Sequence, residues 1–175
     1  MQFQFDLTLS EEDYVAYNCF HAFQSPQGRK TVKRSRIFFI VFMSLMTLIG
    51  FTISVIFGAL LAILTVVYMV LFQKIVERNI GKQILRLKKT GKLPFDATTT
   101  LEFYEDKLIE TTPSARTERN YDKFERICVL EGRYIFLYDS SVTAYILPVA
   151  QVGDQENQAA FLSFMAKKCS AIEYY

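Results

Sequence analysis

The longest uncharged run in the chain covers 36 residues, from Ile37 to Phe72. It contains no Asp, Glu, Lys, Arg, His, Asn or Gln. Charge inside a bilayer costs several kcal/mol, whereas a helix in a soluble core rarely excludes polar residues over such a length. The run therefore predicts a membrane-embedded segment. A cleaved signal peptide is a poor alternative, because the run starts too far from Met1 and is too long.

The length of the run favours a turn inside it. A straight helix of 36 residues would extend about 54 Å, against a hydrocarbon core of about 30 Å. Two short spans, about 37–53 and 55–72, satisfy both length and polarity. We place the turn near Thr52–Ile56, where Gly50 and Gly58 on either side allow the two helices to approach closely.

Basic clusters flank the run on both sides, and residues 29–92 carry twelve of the twenty Lys and Arg residues but one acid. Under the positive-inside rule, both flanks belong in the cytoplasm, which requires an even number of crossings. We expect a multi-pass protein of the cell membrane with both termini cytoplasmic. A re-entrant or interfacial hairpin that does not fully cross is the alternative. The flanking residues singled out, for topology or for lipid headgroups, are Arg29, Lys30, Lys33, Arg34, Arg36, Lys74, Arg78, Lys82 and Arg86.

Residues 73–90 predict an amphipathic basic helix that follows the second span. Its apolar stripe is Val76, Ile80, Ile84 and Leu87, and its basic stripe lies about 200° away. Gly91 is a candidate for the helix end, with Pro94 beyond it. The basic stripe could attract anionic headgroups, or it could only enforce topology while the apolar stripe packs on the soluble part.

The N-terminal 28 residues predict a strand and a helix. Residues 3–9 alternate between apolar and polar side chains, which is typical of a half-buried strand. Ser10 is a candidate N-cap for a helix from Glu11 to about Phe23, which ends before a break at Ser25–Gly28. A lone strand is not stable, so we expect it to join a sheet built from residues beyond the membrane hairpin.

Residues 93–175 predict an antiparallel meander closed by a helix. Turn signals at Glu105–Asp106, Pro113–Ser114, Gly132 and Ser140–Ser141 separate short strands. The strands read as "TTTLEFY", "KLIETT", "ARTERN", "FERICVLE", "RYIFLYD" and "VTAYILP". A helix from about Asp154 to Cys169 would lay Ala160, Phe161, Phe164 and Met165 on the sheet. The fold class is thus α+β: a two-helix transmembrane hairpin plus a pleckstrin-homology-like (PH-like) β-roll.

The segments "FDLTLSEEDYVAYNCFHAF" and "FERICVLEGRYIFLYDSSVTAYILP", with two hydrophobic helices between them, resemble the bacterial YcxB-like family. Family members often carry Trp where this chain has Phe124, and a basic or aromatic residue soon after Pro148, where it has Val149 and Ala150. The resemblance implies a membrane protein with a cytoplasmic PH-like domain. It brings no activity, substrate or catalytic residue.

The residues offer little material for catalysis. His21 is the only histidine and lies on an aromatic helix face, and no P-loop or serine nucleophile elbow is present. Cys19, Cys128 and Cys169 are too widely spaced for a local zinc site or a disulfide framework. We therefore expect no enzymatic activity, no cofactor and no metal. The positive charge is concentrated at the membrane flanks, so we expect no nucleic-acid partner.

The leading hypothesis is a non-enzymatic integral membrane protein whose cytoplasmic PH-like domain binds a protein or a lipid at the membrane. The alternative is a small accessory or regulatory subunit of a larger membrane complex, or a homo-oligomer, with the hairpin as contact surface. A lipid-acting enzyme is a third hypothesis, and it would require an apolar cleft with several convergent polar groups.

Overall fold

The computed structural model describes residues 1–93, 98–130, 132–140, 143–169 and 171–175. The predicted position of Pro94 beyond the helix, and Ser141 of the predicted turn, lie outside these residues. The chain forms two compact units, one of residues 1–17 with 87–175 and one of residues 18–86.

The first unit contains a four-stranded antiparallel sheet in the order β1-β2-β3-β4. The strands are β1 (Phe3–Thr8), β2 (Thr98–Phe103), β3 (Lys107–Thr111) and β4 (Arg116–Asn120). β1 pairs with β2 from Phe3 opposite Phe103 to Thr8 opposite Thr98. Its alternation has the expected effect, since Phe5 and Leu7 are buried while Gln4 and Asp6 are exposed. The prediction that the N-terminal strand joins the sheet is confirmed.

A second sheet has the order β7-β6-β5-β8. Its strands are β5 (Arg126–Leu130), β6 (Tyr134–Tyr138), β7 (Ala144–Pro148) and β8 (Ile172–Tyr174). All six predicted strands after the hairpin are present, but they do not form one meander. A 3₁₀ turn at Tyr121–Lys123 separates β4 from β5 and divides the strands between two sheets. The unpredicted β8 is parallel to β5.

Both sheets contribute to one core, which the C-terminal helix α5 (Gln155–Ala166) completes. The Asp154 side chain caps α5 by accepting a hydrogen bond from the Asn157 N–H. Phe161 and Met165 are fully buried, and Phe161 contacts the rings of β1 and β2. The predicted inward position of Ala160 is wrong, because Ala160 is exposed. A short helix, α4 (Val149–Val152), precedes α5.

The helix α1 (Glu11–Gln24) begins with a reciprocal cap between Ser10 and Asp13. Asp13 also accepts a hydrogen bond of 2.9 Å from the Tyr134 hydroxyl of β6. The Tyr17 ring lies against Phe136. Within the first unit, the start of α1 thus covers the face of β6 opposite the inter-sheet core, so β6 is covered on both faces.

The predicted break at Ser25–Gly28 is wrong beyond its first residue. The helix α2 (Pro26–Ile53) begins directly after Ser25, whose hydroxyl accepts a hydrogen bond from the Gly28 N–H. Proline suits the first turn of a helix because backbone N–H groups there have no partner within the helix, so the N–H that proline lacks costs no hydrogen bond. Gly28 approaches α1 so closely that a Cβ atom would lie 2.1 Å from the His21 carbonyl oxygen.

The turn of the hairpin lies at Ser54, between α2 and α3 (Val55–Lys89), as the sequence predicts. A Cβ atom on Gly50 would lie 3.2 Å from the Gly58 Cα atom, so the two glycines let the backbones meet. α3 continues without interruption through the predicted basic helix. It ends at Lys89, and Gly91 beyond it has a φ of 64°, while the Lys92 N–H donates to the Leu87 carbonyl in a Schellman arrangement.

Candidate functional site

The nine predicted flank residues are all exposed. Five lie in the first turns of α2, and four lie in the second half of α3. Within the second unit the two helices run antiparallel from the Ser54 turn, with the Phe39 and Tyr68 rings stacked at 3.5 Å. The basic start of α2 and the basic part of α3 therefore lie at the same end of the hairpin. The Arg36 guanidinium lies 5.9 Å from the centre of the Phe72 ring.

The amphipathic pattern of α3 has the predicted orientation. Ile84 is buried and Val76 and Ile80 are half-buried. The basic residues Lys74, Arg78, Lys82 and Arg86 are exposed. The basic stripe is consequently a solvent-facing surface, which suits either of its two interpretations.

A groove of about 340 Å³ opens at the basic end of the hairpin. Three cations of α2 (Arg29, Lys33 and Arg36) line it, with apolar side chains beneath them. The other lining residues are Ala22, Phe23, Val32, Phe72 and Gln73. Arg29 is held in place, because its Nε donates to the Phe23 carbonyl at 2.9 Å and its Nη2 donates to the Gln24 side chain. We call this the basic groove.

A second cavity of about 440 Å³ lies in the first unit, where both sheets contribute to its wall. Its apolar side includes Leu7, Leu101 and Ile146. Its other lining residues are Leu9, Tyr14, Thr99, Glu110, Thr112, Arg119, Asp139, Thr143, Ala144 and Tyr145. This inter-sheet cleft combines an apolar wall with convergent polar groups, which is the arrangement that the third hypothesis requires.

The polar groups of the inter-sheet cleft are paired across the two sheets. The Tyr145 hydroxyl of β7 donates to the Glu110 carboxylate of β3 at 3.0 Å. Arg119 of β4 forms an ion pair of 3.5 Å with Asp139, which follows β6. Burial, assisted by the negative charge of Glu110, raises the pKa of Tyr145. Tyr145 is therefore a protonated hydrogen-bond donor at neutral pH, and it joins β7 to β3 across the cleft.

Sequence reasoning did not find the inter-sheet cleft. Glu110, Arg119, Asp139 and Tyr145 come from four segments, and none of them forms a local motif. Two signals were present: Glu110 follows the inward-facing Leu108 at a strand spacing of two, and Tyr145 lies near the start of β7. Neither signal says which groups would meet, because that depends on how the two sheets pack.

The three cysteines are free thiols that lie apart from both cavities. Cys128 is buried in β5, and burial raises its pKa to about 12. Burial also raises the pKa of Cys169 to about 11. A thiol reacts as the thiolate, so Cys128 and Cys169 are weakly reactive at neutral pH. Among the described residues, no group of three or more His, Cys, Asp or Glu side chains is arranged to hold a metal ion.

Residues 103–165 match the family model of YcxB-like proteins. The match begins at the last residue of β2 and ends within α5, so it includes β3 and β4 of the first sheet and β5, β6 and β7 of the second. It confirms the resemblance for this part of the chain. No curated protein and no solved structure matches the chain.

Proposed function

We propose that this chain is a non-enzymatic integral membrane protein that carries its YcxB-like region, residues 103–165, beside a membrane hairpin. The helices α2 and α3 cross the cell membrane as a hairpin, and both termini lie in the cytoplasm. The first unit is a PH-like β-roll, presented at the membrane for interaction with a protein or a lipid. No cofactor takes part in this role.

The exposed apolar surface of the hairpin carries the proposal. Of the 23 exposed large apolar side chains in the described part of the chain, nineteen lie between Ile37 and Leu71. The most apolar windows of α2 and α3 are 6% and 17% buried, whereas the core helix of a soluble protein is mostly buried. Water solvates such a surface poorly, and lipid chains solvate it well.

The position of the basic residues supports the topology. Both basic flanks lie at the same end of the hairpin, opposite the Ser54 turn. The positive-inside rule then places this end in the cytoplasm and the turn on the other side. β1 precedes the hairpin and β2 follows it, and the two strands pair with each other, which supports a topology with both ends of the hairpin in one compartment.

The architecture of the first unit supports a PH-like binding module. Two four-stranded sheets share a core with a C-terminal helix, as expected for a β-roll closed by a helix. The inter-sheet cleft offers such a module a ligand surface. Arg119 and Asp139 form an ion pair, and the Glu110 carboxylate accepts a hydrogen bond from the Tyr145 hydroxyl, so the charged groups of the cleft are engaged in contacts between its two walls. These contacts support binding over chemistry.

The same exposed surface favours a second candidate function. A hairpin with so many outward apolar side chains could pack against other membrane helices, as a small accessory or regulatory subunit or as a homo-oligomer. In that case one face of the hairpin contacts protein rather than lipid. Phe38 and Val70 are 72% and 76% exposed and serve as probes of that surface.

A photoreactive amino acid at residue 38 or residue 70 of the full chain tests both functions. After irradiation of intact membranes, we expect adducts with lipid at both positions. A discrete protein adduct at either position would favour the accessory-subunit function, and a self-adduct would favour a homo-oligomer. Release of the full chain from membranes by alkaline carbonate would overturn both functions, because a peripheral protein is extracted and an integral one is retained.

A further inference from the structure

We propose that the basic groove binds one anionic phospholipid, with the phosphate held among Arg29, Lys33 and Arg36. This inference rests on the proposed function, because it requires the hairpin to lie in a bilayer. It goes further because it assigns a ligand to three of the nine basic residues and names the groove in which they bind it. The other six then serve topology and general surface attraction.

The three cations share one face of α2. Their spacings of four and three residues bring them onto adjacent turns of that face. Among the described residues, none of the three forms an ion pair with a carboxylate, and no acid lines the groove. The only acid in residues 18–86 is Glu77, which accepts a hydrogen bond from Gln73 at 2.9 Å. A bound anion would therefore meet three cations without competition from a carboxylate.

Arg29 is already positioned for a phosphate. Its Nε and Nη2 groups bond to Phe23 and Gln24, while its Nη1 group makes no hydrogen bond with the described residues. Arginine binds phosphate through its planar fork of N–H groups, and fixing the side chain beforehand lowers the entropic cost of binding. The groove thus presents a prepared donor rather than a loose surface charge.

The floor of the groove selects an amphiphile over a free phosphate. Phe72 is buried, its ring packs edge-on against Tyr68 with the ring centres 5.8 Å apart, and the Arg36 guanidinium lies 5.9 Å from its ring centre. Immediately beyond the cations, Ile37 and Phe38 are exposed on the apolar run. The groove therefore lies at the border between the basic flank and the apolar surface, where headgroup phosphates meet acyl chains. Its volume falls within the range of about 300–1,000 Å³ that is typical of small-molecule sites.

The test uses full-length protein in a mild detergent, and native mass spectrometry counts the bound lipids. We expect one phosphatidylglycerol to be retained in preference to phosphatidylcholine. The variant R29Q/K33Q/R36Q should bind phosphatidylglycerol roughly a hundredfold more weakly, since each basic residue near a membrane surface contributes about 1 kcal/mol. Glycerol phosphate, which lacks acyl chains, should not displace the lipid.

The matched control is K30Q/R34Q/R78Q, which removes two arginines and one lysine that do not line the groove. It should weaken binding by less than about fivefold, the contribution of one basic residue. Equal losses in the two variants, or equal retention of the two lipids, would overturn the groove. Displacement by glycerol phosphate would overturn the lipid assignment.

Two further measurements keep the result interpretable. The conservative variant R29K/R36K keeps the charge and should bind more tightly than the Gln variant, so a folding defect can be separated from lost binding. Carbonate extraction of the wild-type chain reports membrane anchoring independently of lipid counts. A chain that is retained in membranes but shows no lipid preference contradicts the groove alone, whereas an extracted chain contradicts the proposed function.

Discussion

Truncation of Phe5 to Ala tests whether the N-terminal strand is part of the core of the first unit. Phe5 is 6% exposed, and its ring makes edge contacts with Phe103 at 5.7 Å and with Phe161 at 5.1 Å. The substitution removes a ring that joins β1, β2 and α5. Replacing a buried Phe by Ala costs about 3–5 kcal/mol, from lost transfer energy and from the cavity left behind.

This cost is a large part of the stability of a domain, which is typically about 5–15 kcal/mol. With a dependence on urea of about 2 kcal/mol per molar, a loss of about 4 kcal/mol lowers the unfolding midpoint by about 2 M. Pulse proteolysis of the full chain in detergent measures this midpoint, and a C-terminal tag reports cleavage within the first unit. The full chain is needed, because residues 93–175 alone lack Phe3, Phe5 and Leu7 of the core.

The control is Gln4→Ala, one residue away on the exposed face of the same strand. A surface substitution of this kind changes stability by less than about 0.5 kcal/mol. If the two variants unfold at the same urea concentration, β1 contributes no packing to the core, and its predicted place there is wrong. Such a result would also remove the argument that both ends of the hairpin share one compartment.

Two other predictions follow from the hairpin and from the buried tyrosines. A pair of cysteines that replace Phe39 and Tyr68 should cross-link within one chain in membranes, because the centres of these two rings lie 3.5 Å apart. A pair that replaces Phe38 and Tyr68 should not cross-link. Equal cross-linking of the two pairs would contradict the pairing of α2 with α3. Burial raises the pKa values of Tyr17 and Tyr134 to about 12, from 10. The folded state then retains protons that the unfolded state loses, so the contribution of these two tyrosines to stability is constant below about pH 10 and falls between pH 10 and 12. Absorbance at 295 nm should show these tyrosines ionising at higher pH in the folded chain than in urea, and coincident titrations would contradict the burial.

Two main features of the fold, the hairpin turn and the pairing of β1, can be predicted from the sequence. The Ser54 turn was predicted from the length of the uncharged run and from the charges around it. The pairing of β1 was predicted because a strand such as Phe3–Leu9 needs a sheet. Both predictions rest on constraints that involve many residues at once. No single side-chain contact changes these constraints.

Other elements left no such pattern. β8 is held by backbone hydrogen bonds to β5, such as Tyr175 N–H to the Val129 carbonyl, while the Tyr174 side chain is 69% exposed. A three-residue strand without an alternating buried face gives no periodic signal. A break is predicted at Ser25–Gly28, although Ser followed by Pro is also typical of a capped helix start.

The two candidate sites also combine features that the sequence predicts with features that it does not. The basic residues were predicted because clusters of Lys and Arg beside a long apolar run can be recognised in the sequence itself. The packing of α1, α2 and α3 within the second unit determines which of these basic residues line the groove. The same packing makes Phe72 a lining residue. The inter-sheet cleft depends in the same way on contacts such as that between Glu110 and Tyr145, which are 35 residues apart.

The most direct test of the central claim is the accessibility of single cysteines in a chain without native cysteines. The native Cys128 does not serve, since it is buried in β5. Thr31, Ser54 and Ser114 are exposed, and they lie in the basic flank, at the hairpin turn and between β3 and β4. Each is replaced by Cys and treated with a membrane-impermeant thiol reagent in intact cells and after permeabilisation.

For a hairpin that crosses the membrane twice, we expect residue 54 to be labelled in intact cells, and residues 31 and 114 only after permeabilisation. If residue 54 also requires permeabilisation, the hairpin is re-entrant and does not cross. If residue 31 and residue 114 are labelled from opposite sides, the two-span topology is wrong, and β1 cannot reach its partner strand.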